Sequence, residues 1–343
     1  MGDRLDSLDI WGVTAAFPEQ VAAAIGVGEA LEGLPAHDDI ANVLVLGMGG
    51  SGIAGDLVAA VAGPFMAVPI VVAKGYEPPS FVDESTLVVA ISFSGNTEET
   101  IEAVQEAALS GGRVLAVTAG GQLADLAGSW GSPVIGLPGD IAMPRSGLGA
   151  MAVPVLVAFE KMGLFPGATE WVQRAVEQLD RRRDELVGDK SPAAPIARAI
   201  GRTLPLVYSA GPIGRVAAQR WKCQVNENAK APAFANTMPE LCHNEICGWG
   251  QHGDVTRQVF TLVNLRHDHE HPQEMRRFDL VTELCREVVG GVIDVRAAGE
   301  GEVAQLLDLC LLGDFVSLEL AAAAGVDPGP IPVLDDLKAA LAR

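Results

Sequence analysis

TLVVAISFSGNTEET, residues 86–100, changes character after its sixth position. Residues 86–91 form a short apolar run of the kind that fills a strand buried on both faces. Ser92, Ser94, Gly95, Asn96 and Thr97 then supply turn chemistry. Thr97 is the expected N-cap of a helix over 98–109, with Glu98, Glu99 and Thr100 in its first turn. A strand, a hydroxyl-rich turn and a helix start bring unpaired backbone N–H groups, the positive end of the helix dipole and several hydroxyls to one point. That setting suits a phosphate monoester. A capped helix with no ligand needs one hydroxyl, and three within six residues around a glycine favour the ligand reading.

The same grammar recurs upstream in NVLVLGMGGSGIAGDLVAAV, residues 42–61, where a strand over 43–46 meets a glycine-rich turn and a helix. Gly47, Gly49 and Gly52 satisfy the spacing G-x-G-x-x-G of a dinucleotide-binding turn. The next strand, 69–73, ends in Lys74 and Gly75, where such a site needs an acid for the ribose. The nicotinamide reading is therefore set aside. Further strands at 86–91, 113–118 and 133–137 alternate with helices at 98–109 and 123–128, and a helix over 18–32 precedes them. This predicts an α/β domain with a doubly wound parallel sheet. Ligands of such sheets sit beyond the carboxyl ends of the strands, so both turns should face one crevice.

Arg145 follows Pro144 at the start of an apolar helix, where its charge opposes the dipole. It is either a solvent-facing residue or one kept for another purpose. The expected organisation is a first domain over 1–165, a connecting helix and linker over 166–190, and a second domain over 191–343. The second half restarts with a strand at 204–209, a Gly-Pro-Ile-Gly turn and a long helix, a weak repeat of 43–61. Strands at 258–264 and 292–295, helices at 273–289 and 302–324, and a terminal helix carrying Lys338 complete it.

At 343 residues and 49% hydrophobic, the chain is long enough for two cores. A formal charge of −20 argues against nucleic acid and anionic membrane partners, which are held by clustered Lys and Arg. It does not exclude a phosphate ligand, because the overall field is screened over about 8 Å at physiological salt. MGDRLDSLDI carries no signal pattern, Asp6 stands where myristoylation needs Ser or Thr, and no apolar run approaches a membrane span. A soluble, cytoplasmic protein is expected. Cys223, Cys242, Cys247, Cys285 and Cys310 form an odd, sparse set, read as reduced thiols.

Residues 226–250, NENAKAPAFANTMPELCHNEICGWG, gather Glu227, Lys230, Glu240, His243 and Glu245 among Asn residues. A carboxylate and an imidazole together can move protons on and off carbon and oxygen. Composition alone leaves that reading level with a hydrogen-bonded loop network. His267, His269 and His271 in HDHEH could ligate a metal, but alternate residues ahead of Pro272 read better as a solvated loop. Cys242, His243 and Cys247 supply at most three ligands, and the cysteines are read as packing.

The chain resembles the bifunctional phosphoglucose/phosphomannose isomerases, built from two sugar-isomerase (SIS) domains. The likeness rests on GMGGSGIAGD (47–56), SFSGNTEET (92–100), MPRSGLG (143–149), RWKCQVNENAKAPAF (220–234), MPELCHNEICGW (238–249) and the terminal Leu337-Lys338, in the family's order over nearly the whole chain. The resemblance implies two flavodoxin-like SIS domains of doubly wound parallel sheet. It implies that Gly50, Ser51, Ser92, Ser94 and Thr97 hold the phosphate of a hexose. Glu227 would be the base that moves a proton between C1 and C2, Arg145 would stabilise the enediolate oxygen, and His243 and Lys338 would open the sugar ring. It further implies a homodimer with His243 shared across the interface, and neither cofactor nor metal. Met143 stands where the family often has Gln, and Gly329 where it has a hydroxyl residue, which leaves the glucose and mannose preference open. Two rival readings are an SIS isomerase for another phosphosugar and a regulator that binds a sugar phosphate without turning it over.

Overall fold

The computed structural model describes residues 5–341, so the reading of residues 1–4 lies outside it. The chain runs through α1 (Ile10–Ala15), α2 (Phe17–Glu29), β1 (Asn42–Leu46), α3 (Gly49–Ala62), β2 (Ile70–Ala73), β3 (Thr86–Ile91), α4 (Glu98–Leu109), β4 (Arg113–Thr118), α5 (Gly121–Trp130), β5 (Val134–Gly136) and α6 (Leu148–Lys161). It continues with α7 (Ala168–Val187), α8 (Ala193–Ile200), β6 (Leu204–Ala210), α9 (Gly211–Asn228), β7 (Phe234–Met238), α10 (Gly253–Val259), β8 (Phe260–Arg266), α11 (Pro272–Cys285), β9 (Gly291–Arg296), α12 (Glu302–Ala324) and α13 (Pro332–Leu341). Among the described residues no helix is long and apolar enough to cross a membrane.

Two compact units result. The first comprises Ala16–Asp180 with Gly299–Gln305, and the second takes Ala15 and the residues before it, Arg181–Ala298, and the chain from Leu306. Residues 166–190 are mostly the single helix α7, whose apolar stripe runs on past the division at Asp180 and Arg181. The N-terminal helix α1 groups by contacts with the second unit, where Trp11 meets Phe315 edge-on at 5.7 Å.

In the first unit the strands are parallel in the order β2-β1-β3-β4-β5, the flavodoxin-like arrangement. All six residues of β3 are buried, which is why its sequence is apolar throughout rather than alternating. Leu44, Leu46, Val88, Ala90, Val114 and Ala116 pack on one face against Ile101, Val104 and Ala107 of α4 and Leu123 and Ala127 of α5. Helix α3 lies on β1, close enough that a Cβ at Gly55 would sit 2.7 Å from the Val45 side chain. Because β1 and β3 are hydrogen-bonded neighbours, the glycine turn after one and the hydroxyl turn after the other emerge side by side.

The second unit has four parallel strands in the order β7-β6-β8-β9, the same plan with one edge strand fewer. The weak sequence repeat has a backbone counterpart. Met48 (φ −119°, ψ 153°) precedes Gly49 (φ 53°) at the head of α3, and Ala210 (φ −138°, ψ 158°) precedes Gly211 (φ 63°) at the head of α9. Helix α9 is tied to α12 by buried polar contacts. Arg220 donates to both carboxylate oxygens of Asp314 at 3.0 and 2.6 Å, and the Trp221 indole donates to the Leu309 carbonyl at 2.7 Å. Asn228 donates to Ser317 at 2.8 Å. Burial works against the Arg220 charge, but the Asp314 carboxylate outweighs it and holds the guanidinium protonated. Breaking a buried pair of this kind generally costs roughly 3–5 kcal/mol, so α9 is held rigidly along its buried face.

Candidate active site

The first unit brings hydroxyls and helix-head amides together at the starts of α3 and α4. Thr97 is the residue preceding α4, as its sequence suggests, but its hydroxyl makes no cap hydrogen bond. It accepts instead from Ser92 Oγ at 3.0 Å, so the α4 amides keep no side-chain cap of their own. Those amides carry roughly half a positive charge between them. Ser92 is fully buried and braces the turn from within. Ser94 is exposed, its Oγ accepting from the Asn96 amide at 3.2 Å. Gly95 adopts φ 70°, and a Cβ there would stand 1.7 Å from the Gly120 carbonyl oxygen, so this turn fits only glycine.

Ser51 joins the two turns: its Oγ accepts from the Phe93 amide at 3.1 Å. Gly50 presses against the turn before α6, where an added Cβ would lie 3.0 Å from Pro144 and 3.1 Å from the Arg145 amide. Arg145 is only 4% exposed, which removes the solvent-facing alternative. Gly50, Ser51, Ser92, Ser94, Thr97 and Arg145 thus belong to three turns packed together. Lys74 pairs with Asp56 on α3, a use for the residue that spoils the dinucleotide pattern.

The second unit carries Glu227, His243 and Lys338 on three separate elements. Glu227 is half-buried in the last turn of α9, His243 is exposed at the end of a short helical turn over Glu240–His243, and Lys338 is exposed on α13. The polar stretch 226–250 does not act as one cluster, because β7 runs through its middle. Phe-Ala-Asn-Thr-Met is a weak strand signal that the surrounding polar residues conceal. Glu245 is committed to the scaffold: its carboxylate accepts from Tyr208 Oη and from Asn236 Nδ2 at 2.5 Å, and the Trp249 indole donates to Tyr208 Oη at 3.3 Å. Burial, then the Glu245 carboxylate, push the Tyr208 phenol far above its ordinary range. Glu240 is exposed and accepts from Asn244 at 2.7 Å. The loop-network reading therefore describes Glu245.

HDHEH follows β8, the place that Ser92 to Thr97 occupies after β3. His267 is buried against Gly211 and Gly214, its Nε2 2.9 Å from the Ala210 carbonyl and its Nδ1 accepting from the His269 amide at 3.2 Å. Burial lowers the His267 pKa, and these bonds suit a neutral ring with its proton on Nε2. Glu270 accepts from the His267 amide at 2.9 Å and pairs with Arg266, while His271 caps α11. His267 is thus spoken for by backbone and His271 by a helix cap, while the His269 ring stacks on His267 with centroids 6.3 Å apart. All five cysteines are free thiols, and burial pushes Cys285 up to about 11 and Cys310 up to about 12.

Residues 39–128 match the SIS domain, and residues 189–341 match the bacterial phospho-glucose isomerase C-terminal SIS domain. A bifunctional phosphoglucose/phosphomannose isomerase of Caldicellulosiruptor bescii is 35% identical over 331 residues, 95% of this chain and 97% of that protein. This chain belongs to the bifunctional phosphoglucose/phosphomannose isomerase family. A further family member, from Thermoplasma volcanium, is 33% identical over 88% of this chain and 91% of its own length. Among solved structures, the C-terminal domain of glucosamine-fructose-6-phosphate aminotransferase from Francisella tularensis superposes with a TM-score of 0.68 at 16% identity, covering 93% of this chain and 96% of that one. That likeness speaks for the fold alone. At Gly329 a Cβ would fall 3.0–3.1 Å from the Leu8 side chain, so the hydroxyl residue that the resemblance leads one to expect there would press on Leu8.

Proposed function

We propose that this chain interconverts glucose 6-phosphate and mannose 6-phosphate with fructose 6-phosphate in the cytoplasm, as a homodimer and without metal or cofactor. The observation that carries the reading is the uncapped head of α4, reached through a turn that carries Ser94 and Thr97 and is joined by Ser51, in a chain that spans almost the full length of an isomerase relative. The amides and hydroxyls hold the phosphate. His243 and Lys338 open the hexose ring. Glu227 then removes the proton from C2 of the open-chain aldose, leaving a cis-enediolate, and returns it to C1 to give the ketose. Arg145 steadies the enediolate oxygen, a role typically worth roughly 10²- to 10³-fold in rate. Glucose and mannose phosphates differ at C2 alone, so one enediol serves both.

Purified protein in a coupled assay is expected to convert both hexose phosphates, with glucosamine 6-phosphate a poor substrate. Turnover of glucosamine 6-phosphate alone would move the activity to another phosphosugar, and binding without any turnover would favour the regulator. Ser94→Ala removes one hydrogen bond to a charged group, worth roughly 1.5–3 kcal/mol. The phosphate is unchanged by the reaction, so KM should rise roughly tenfold or more while kcat moves little. An unaltered KM for every active substrate would dissociate this turn from the phosphate.

A further inference from the structure

Lys230 holds a backbone conformation that its side chain must justify. It follows the α9 cap residue Ala229 with φ 54°, in the left-handed region where helices usually end on glycine and where a lysine is strained. The side chain turns back on the helix end. Its Nζ donates to the carbonyl of Glu227, in the last turn of α9, at 2.6 Å and to the carbonyl of Pro328 at 3.2 Å. Pro328 belongs to the turn between α12 and α13, which is itself braced. The Asp327 carboxylate accepts from the Ser7 amide at 3.2 Å and from the Gly329 amide at 2.9 Å, and Leu8 packs over Gly329. Burial disfavours the Asp327 charge, but these hydrogen bonds and the nearby Lys230 ammonium together outweigh it and hold its carboxyl below the usual range.

We propose that Lys230 is a positioning residue, which fixes the end of α9 that carries Glu227 against the turn that launches α13 and so sets Glu227 and Lys338 for one substrate. The inference rests on the roles given to Glu227 and Lys338 above. A glycine at 230 would relieve the backbone strain and a methionine would keep the length of the side chain, but neither can donate to two carbonyls. Arginine keeps both charge and donors.

The test compares Lys230→Gly, Lys230→Met and Lys230→Arg by thermal unfolding, by kcat and KM for fructose 6-phosphate, and by exchange of its C1 hydrogen with solvent deuterium. Lys230→Gly should melt at or above the parent temperature, because the left-handed residue is now unstrained. It should nevertheless lose kcat and exchange by about tenfold or more, since small misplacements of a catalytic group can cost roughly 10²-fold. KM should change by less than about twofold, Lys230→Met should lose kcat similarly, and Lys230→Arg should recover part of it. A merely structural lysine would make activity follow melting temperature. Full kcat in folded Lys230→Gly or Lys230→Met would overturn the inference. Glu227→Gln measured alongside separates the two layers: an inactive Glu227→Gln with normal Lys230 variants sinks only the positioning role, whereas an active Glu227→Gln sinks the base and the positioning role with it.

Discussion

Glu227→Gln protein should fold, bind fructose 6-phosphate, and turn over neither glucose 6-phosphate nor mannose 6-phosphate. The carboxamide keeps the size of the side chain and much of its hydrogen bonding while losing the ability to take a proton. Removing a general base typically costs roughly 10²- to 10⁴-fold, and both activities should fall in parallel because both pass through one enediol. Helix α9 is anchored by the bonds from Arg220 to Asp314, from the Trp221 indole to the Leu309 carbonyl and from Asn228 to Ser317, which the substitution leaves in place. Exchange of the C1 hydrogen of fructose 6-phosphate with solvent deuterium reads the same step without coupling enzymes. Near-normal exchange in folded Glu227→Gln would end the mechanism and direct attention to Glu240, since Glu245 is occupied by Tyr208 and Asn236.

Mixing two dead proteins should restore activity. If His243 is given to the site of a partner subunit, a dimer of one Glu227→Gln chain and one His243→Ala chain retains one site with both groups intact. Random subunit exchange makes about half the dimers mixed, so the recovered activity should approach roughly a quarter of the parent level from a background at least about 10²-fold lower. His243 is exposed at the end of its short helical turn in the single chain, as a side chain offered to a neighbour would be. No recovery after verified subunit exchange would mean that each chain builds its site alone.

The regular elements were legible because parallel strands announce themselves. Residues 86–91 and 98–109 were readable to the residue, since an uninterrupted apolar run and an acidic first turn are local signals. β7 was not legible. Its alternation is carried by Ala, Asn and Thr, residues that serve equally well in loops, and it becomes a strand by lying beside β6. The hydroxyl turn was legible as a strand end, a turn and a helix start, yet the division of labour within it was not. That Ser92 braces the turn and that Thr97 accepts from Ser92 rather than capping α4 depends on side-chain directions that spacing cannot supply. Burial of Arg145 and the bond between Arg220 and Asp314 join parts of the chain far apart in sequence, where no local pattern points. The same holds for Glu245, whose commitment to Tyr208 on β6 takes one acid of the polar stretch into the scaffold.

The turn after β8 has a further consequence for a chain that folds one plan twice. Where the head of α4 in the first unit carries no side-chain cap, the second unit meets the His267 amide with a carboxylate of its own, Glu270, and caps α11 with His271. That turn and that helix head are completed by folding alone. A hexose phosphate bound as proposed above would therefore add its stabilisation at the head of α4 and not at the head of α11.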